Sequence, residues 1–388
     1  MKGNESALYS QYIIDGTRKE TTPAELLDEC MKYSGSDRMH DIQEVFDDII
    51  DESTDPPVSS FRYDNASNEA YVAETLAAVS EERPFTMLYP GQFTRLQIAS
   101  ALISRLWSEG HFRLGDLRLW AQWEWNTRPT GNMESFYASI SAASEYIYGL
   151  GVRLTDYLFI ENDSGCGVKF FAWLPEEEEN EECDETTDSG LFKTSPYESR
   201  HPWIGEGRKC PSTLKPDDTS WVIYIPFDTC TYKLGGSLLA QGRGHNGGQG
   251  TQIQDPDYFI DCYEVVRELV EDGIAMAGVC IGNGGLATAA AGMCAECGME
   301  MDISGLISSY QENDMTKILF GETPGVLMQI SDNDYDYLDS QLILQDVAYY
   351  PLGHPSTHDG RLTFKGSGKN SVASILASLM GQACEGED

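Results

Sequence analysis

Residues 257–303 read DYFIDCYEVVRELVEDGIAMAGVCIGNGGLATAAAGMCAECGMEMDI. The apolar spacing from Tyr258 to Glu271 predicts an amphipathic helix, and the run Ile274 to Ile281 predicts a buried strand. Gly284-Gly285 then open a second helix, because glycine allows the tight strand-to-helix turn and a close backbone approach. Ile274 to Met299 is also the most apolar stretch of the chain. It is rich in Gly and Ala and interrupted by Asn283 and Glu296, so it reads as buried core rather than as a membrane span.

Outward from there, Trp221 to Pro226 predicts a strand, Leu234 to Gly250 a glycine-rich turn and loop, and Val326 to Ile330 and Leu344 to Tyr349 further strands. The first half has the same rhythm: a helix from Arg95 to Glu109, a strand from Leu117 to Trp125, a helix from Met133 to Leu150 and a strand from Val152 to Ile160. The class expected is α+β. Between the halves, EEEENEECDETTD (Glu176 to Asp188) is a run of like charge that continues as loop to Asp217 and marks a boundary. At the N-terminus, Thr22-Pro23-Ala24-Glu25 is a capping box and His40 to Ile50 has helical spacing, which reads as an appended pair of polar helices. The expected organisation is an acidic helical extension over 1–57, a sheet-forming domain over 58–175, a linker loop over 176–217 and a second domain over 218–388.

Composition narrows the function. The chain has 63 Asp+Glu against 26 Lys+Arg in 388 residues, a formal charge of −37, which excludes binding nucleic acid through phosphate neutralisation. Ten cysteines without a secretory signal fit reduced thiols in a cytoplasm better than a disulfide framework. Cys294-x-x-Cys297 has half the spacing of a zinc site but no second pair, and helical core packing accounts for it. His201, His245, His354 and His358 stand among Gly, Pro and Asp, where a surface position is the default. Trp120, Trp123 and Trp125 alternate as on a strand and read as core or sheet interface.

The order of blocks is more specific than any single motif. WVIYIPF (221–227), KLGGSLLAQ (233–241), the stretch 257–303 and KILFGETPGVLMQIS (317–331) follow RPFTMLYPGQFTRLQIASALISRLW (83–107) and LRLWAQWEWNTRPTGNMESFYASISAASEYIYGLGVRLT (117–155). Together, from Phe61 to Phe364, they resemble the second synthetase-like repeat of phosphoribosylformylglycinamidine synthase, of the aminoimidazole ribonucleotide synthetase superfamily. The resemblance implies a two-domain synthetase-like fold and, in the family, ATP phosphates held with Mg²⁺ between glycine turns and carboxylates. It also implies a homodimer, or pairing with a related synthetase-like chain through its sheets. The family's first repeat and glutaminase domain have no counterpart here.

Residue by residue, the carry-over is incomplete. Where the family has Gly-Lys-Asp-Ser, this chain has Phe159, Ile160, Glu161 and Asn162. Its Ser-Ala-Asn-Trp is replaced by Trp120-Ala121-Gln122-Trp123, and its His-Asp-x-Ser-Asp-Gly-Gly turn by Val279-Cys280-Ile281-Gly282-Asn283-Gly284-Gly285. What survives is Gly235, Gly236 and Ser237, then Gly284 and Gly285, as vestigial phosphate turns, with Glu161 and Glu322 as vestigial metal carboxylates; no catalytic residue is assigned. ATP or ADP with Mg²⁺ is expected only if those turns still bind. Phosphoryl transfer spreads negative charge that the missing lysine and histidine would have stabilised. The expectation is a pseudoenzyme with a structural, assembly or regulatory role, in a viral particle or another larger assembly by analogy with viral relatives. The alternatives are a divergent ATP-dependent synthase subunit acting on formylglycinamide ribonucleotide with a partner chain, and a nucleotide-binding regulatory module.

Overall fold

The computed structural model describes residues 6–32, 65–79, 83, 85–175, 207–244, 248–312, 314–357 and 361–365. In the first half, helices α1 (Pro23–Lys32), α2 (Asn65–Val79) and α3 (Pro90–Ile103) precede β1 (Arg118–Trp125), α4 (Thr130–Leu150), β2 (Arg153–Glu161) and β3 (Gly167–Trp173). Strand β1 is central, parallel to β2 and antiparallel to β3. Its alternation sends Trp123 and Trp125 toward α4, where the Trp123 indole donates to Ser139 Oγ (3.0 Å) and that of Trp125 to the Asn132 carbonyl (2.8 Å). Such partners allow an indole to be buried without an orphaned N–H. Trp120 points to the opposite face and packs on Phe171.

Helix α3 lies further toward the N-terminus than the Arg95 to Glu109 spacing predicts. Pro90 occupies its first turn, where a missing N–H costs nothing, and beyond Ile103 the chain tightens into a 3₁₀ turn over Ser104–Trp107.

The second half contains β4 (Trp221–Pro226), α5 (Leu238–Gly242), α6 (Pro256–Glu271), β5 (Ala275–Ile281), α7 (Gly285–Met293), β6 (Gly298–Asp302), α8 (Ser304–Tyr310), α9 (Met315–Phe320), β7 (Gly325–Ile330), α10 (Tyr335–Leu344), β8 (Tyr350–Gly353), β9 (Pro355–Ser356) and β10 (Leu362–Lys365). One antiparallel sheet runs β8-β4-β7-β5, and a smaller one runs β9-β6-β10. Both faces of β4 are buried, which is why WVIYIP is apolar throughout. Ile223 and Ile225 join a core shared with α6 and with the helices of the first half, whereas Val222 and Tyr224 join a second core with Leu286 and Ala287 of α7. The synthetase-like α+β class expected from the sequence is the observed one.

Three expectations change. The N-terminal capping box forms, with the Thr22 amide donating to Glu25 Oε2 at 2.8 Å, but α1 is no appendage: Ala24, Leu27 and Cys30 are buried in the first core. Within 207–217 of the expected linker the chain is anchored at Cys210 and Leu214, both buried, and the Leu214 amide donates to the Met293 carbonyl at 2.9 Å. Leu344 to Tyr349 is not a strand; Leu344 ends α10, whose Leu338 and Leu342 are one helical turn apart and buried, and β8 begins at Tyr350. The His40 to Ile50 helix and the Glu176 to Asp188 run lie outside the described residues.

A buried arginine joins the halves. Arg267 of α6 donates to the carbonyls of Leu106 (2.5 Å), Ser108 (2.8 Å) and Gly110, pairs with Glu271 at 2.9 Å, and lies over the Phe112 ring.

Candidate functional site

The two glycine turns lie side by side. At the first, Gly236 has φ +71° and Ser237 caps α5, its Oγ accepting from the Ala240 amide at 3.3 Å. A Cβ on Gly235 would sit 2.4 Å from the carbonyl oxygens of Gly248 and Gln249, so no side chain fits there. At the second, Gly284 and Gly285 have φ +83° and +72° and lead into α7. Glu322, which follows α9, ties them together: its Oε1 accepts from the amides of Leu238 (2.9 Å) and Gly284 (2.8 Å).

The other oxygen of Glu322 pairs with Arg83 at 2.9 Å, with the two side chains 0% and 6% exposed. Arg83 also donates to Asn283 Oδ1 (2.5 Å) and to the Gly236 carbonyl (2.6 Å), and its guanidinium lies over the Phe93 ring. Gln97 of α3 donates to the same Asn283 oxygen at 3.2 Å, which fixes the amide with its oxygen toward the arginine. Helix α2 covers this arrangement: Thr75 meets Thr288 of α7 at 2.8 Å, and Glu74 pairs with Arg243, just beyond α5, at 2.7 Å. A cavity of about 190 Å³ remains, lined by Arg83, Phe93, Gln97, Lys169, Leu238 and Asn283 among others.

Gly235, Gly236, Ser237, Gly284, Gly285 and Glu322 are thus brought together, and Glu161 is not part of that network. It stands exposed at the end of β2, where Thr127 Oγ1 donates to it. Two amides bond one oxygen of Glu322, and the Arg83 guanidinium stands 2.9 Å from the other. No group of three or more His, Cys, Asp or Glu that could hold a metal ion occurs among the described residues. Sequence reading missed Arg83 and Gln97. Asn283 was read only as the replacement of an acid.

Titratable groups elsewhere serve the fold. Asp228 accepts from the amides of Cys230, Gln254 and Asp255, and burial still raises its carboxyl above the usual range. Burial likewise raises the Cys294 thiol to about 12. Cys297 donates to the Leu214 carbonyl, and His354 rests on the Trp221 ring with Nδ1 2.9 Å from the Ser220 carbonyl. The eight cysteines among the described residues are unpaired, and no helix there is long and apolar enough to cross a membrane.

Residues 229–340 match the family model for the C-terminal domain of AIR synthase related proteins, a span that contains both glycine turns and Glu322. Beyond that span the chain is similar to phosphoribosylformylglycinamidine synthases. It is 23% identical over 287 residues to the probable chloroplastic/mitochondrial enzyme of Arabidopsis thaliana, across 71% of this chain and 18% of that protein. To the Homo sapiens enzyme it is 23% identical over 126 residues, 32% of this chain and 9% of that protein. The chain therefore spans less than a fifth of these relatives' length. Among solved structures, PurLQS of Thermotoga maritima aligns with TM-score 0.48 and 11% identity, covering 73% of this chain and 40% of that one. HypE of Escherichia coli aligns with TM-score 0.43 and 12% identity, covering 69% and 75%.

A magnesium nucleotide does not fit the residues present. Magnesium seeks carboxylate and water oxygens facing an open phosphate pocket. Here the carboxylate at the turns is fully buried and bonded inward, and the adjoining cavity is smaller than the roughly 300–1,000 Å³ typical of ligand pockets.

Proposed function

We propose that this chain is a non-catalytic relative of phosphoribosylformylglycinamidine synthase that acts as a structural or regulatory subunit. The observation that carries the reading is the closed charge pair at the glycine turns. Phosphoryl transfer needs cationic and metal charge directed at the phosphate oxygens. In this chain the cation and the acid at that place, Arg83 and Glu322, are spent on each other and on the protein backbone. The strand that precedes the second turn supplies Val279, Cys280 and Ile281 in place of titratable oxygen and nitrogen ligands.

The partner role rests on the first sheet. Opposite the face that carries Trp123 and Trp125, the register aligns Trp120, Leu158, Ile160, Phe171 and Trp173 among Arg118, Gln122, Glu124, Asp156 and Lys169; Ile160 is 38% exposed and Trp120 is buried. Burial of the apolar residues of this mixed face, with its charges paired across the contact, favours association with a second copy or with a related synthetase-like chain.

Turnover assays with ammonia, ATP and formylglycinamide ribonucleotide test the reading. No ADP above background is expected, alone or after mixing with a synthetase-like partner. ADP release that disappears in Glu161→Ala overturns it.

A further inference from the structure

Arg83 has an unusual set of partners for a buried arginine. Its guanidinium meets one carboxylate oxygen of Glu322, the side-chain oxygen of Asn283 and the main-chain oxygen of Gly236, at 2.9, 2.5 and 2.6 Å. The three oxygens come from three separate segments, each at or beside a glycine turn. A carboxylate, an amide oxygen and a main-chain carbonyl are also the ligand types that hard divalent cations select. Two of the three are held in place without the arginine: Gln97 donates to the Asn283 oxygen, and Gln241 donates to the Gly236 carbonyl at 2.9 Å. The carboxylate is oriented by the Leu238 and Gly284 amides. The oxygens therefore form a preorganised cradle for positive charge.

We propose that Arg83 is a built-in cation, standing in that cradle where a divalent ion would otherwise be held, so that the two turns are locked together without metal. The inference deepens the non-catalytic reading and rests on it, since a side chain tethered to the backbone cannot bring in or release a metal-bound phosphate. A flat guanidinium offers several fixed N–H donors, which suits three oxygens arriving from different directions. Its departure would leave one negative charge and two neutral oxygens around a space that a partly hydrated ion can enter.

The test is thermal unfolding of the full chain in chelator-treated buffer, with MgCl₂ or CaCl₂ titrated at constant ionic strength. The natural chain is expected to keep one midpoint across the titration. Arg83→Ala is expected to melt several degrees lower without metal and to recover with saturable dependence on either ion. The double variant Arg83→Ala with Glu322→Gln should lose that recovery. Arg83→Lys, which keeps a charge in the cradle, should fold and stay indifferent to metal, and it serves if Arg83→Ala does not fold. Failure of Arg83→Ala to respond, a response that survives Glu322→Gln, or metal-dependent stability in Arg83→Lys each overturns the proposal. ATP turnover by the natural chain would instead overturn the non-catalytic reading, so the two failures are told apart.

Discussion

Two buried arginines, Arg267 and Arg83, solve different problems. Arg267 spends its donors on three carbonyls of one continuous stretch, 106–110, and on Glu271, one helical turn away. Arg83 gathers oxygens from three segments, and the acid it pairs with holds two further amides. The first is a staple between the halves. The second closes the space between the two glycine turns. A buried arginine is thus read from where its acceptors come from, since the pairing alone looks the same in both.

Removing the staple has the largest expected effect. Arg267→Ala leaves three carbonyls without that donor and removes one of the donors of Glu271, and loss of one partner of a buried pair costs about 3–5 kcal/mol. Denaturant titration checks it; a change below about 1 kcal/mol would erase the distinction between the two arginines. Glu322→Gln is the milder break at the turns. It keeps the shape and one amide acceptor but leaves Arg83 without its counter-charge, for an expected loss of about 1.5–3 kcal/mol, the worth of a charged hydrogen bond.

Backbone sharpens the same contrast. Gly285 has φ +72°, and a Cβ there would stand 2.9 Å from the carbonyls of Leu319 and Gly321, so Gly285→Ala should destabilise by about 1–3 kcal/mol. Gly292, in the same helix, has open space around its Cβ position, and Gly292→Ala should stabilise by about 0.4–1 kcal/mol. Equal effects at the two glycines would remove the argument that the turn, rather than the helix, demands glycine. Acid provides the smallest effect. Burial works to raise the Glu271 carboxyl, but bonds from His111, Arg267 and the Phe112 amide outweigh it and hold the group below its ordinary range. A carboxylate depressed in the folded state adds stability above its unfolded value, and that share is lost as pH falls through the folded one. Below about pH 4.5 the staple should therefore weaken, and Glu271→Gln should flatten that limb of a stability-against-pH curve.

Much of this was legible in the sequence because it is local. WVIYIP, the helix from residue 256 and the Gly284-Gly285 turn announce themselves through apolar period and glycine placement. Strand β3 was not read: its alternation over Gly167–Trp173 is short, and its place is set by pairing with β1. Leu344 to Tyr349 misled because apolar residues at a helix end resemble a strand when Leu338 and Leu342 are not counted with them. Arg83 was invisible as a site residue because its partners Gly236 and Asn283 lie 153 and 200 positions away. One hint was available. In a chain with 26 cations against 63 acids, an arginine followed by Pro84 at the start of an apolar block is a candidate for burial against an acid. The donors of Glu322 were invisible for a related reason, since the amides of Leu238 and Gly284 lie 84 and 38 positions away.

Calorimetric titration of the natural chain with Mg-ATP tests most directly whether the charges at the turns are closed to nucleotide. The account predicts no saturable heat up to millimolar nucleotide. A one-site isotherm that is lost in Gly236→Ala while the variant stays folded would contradict it.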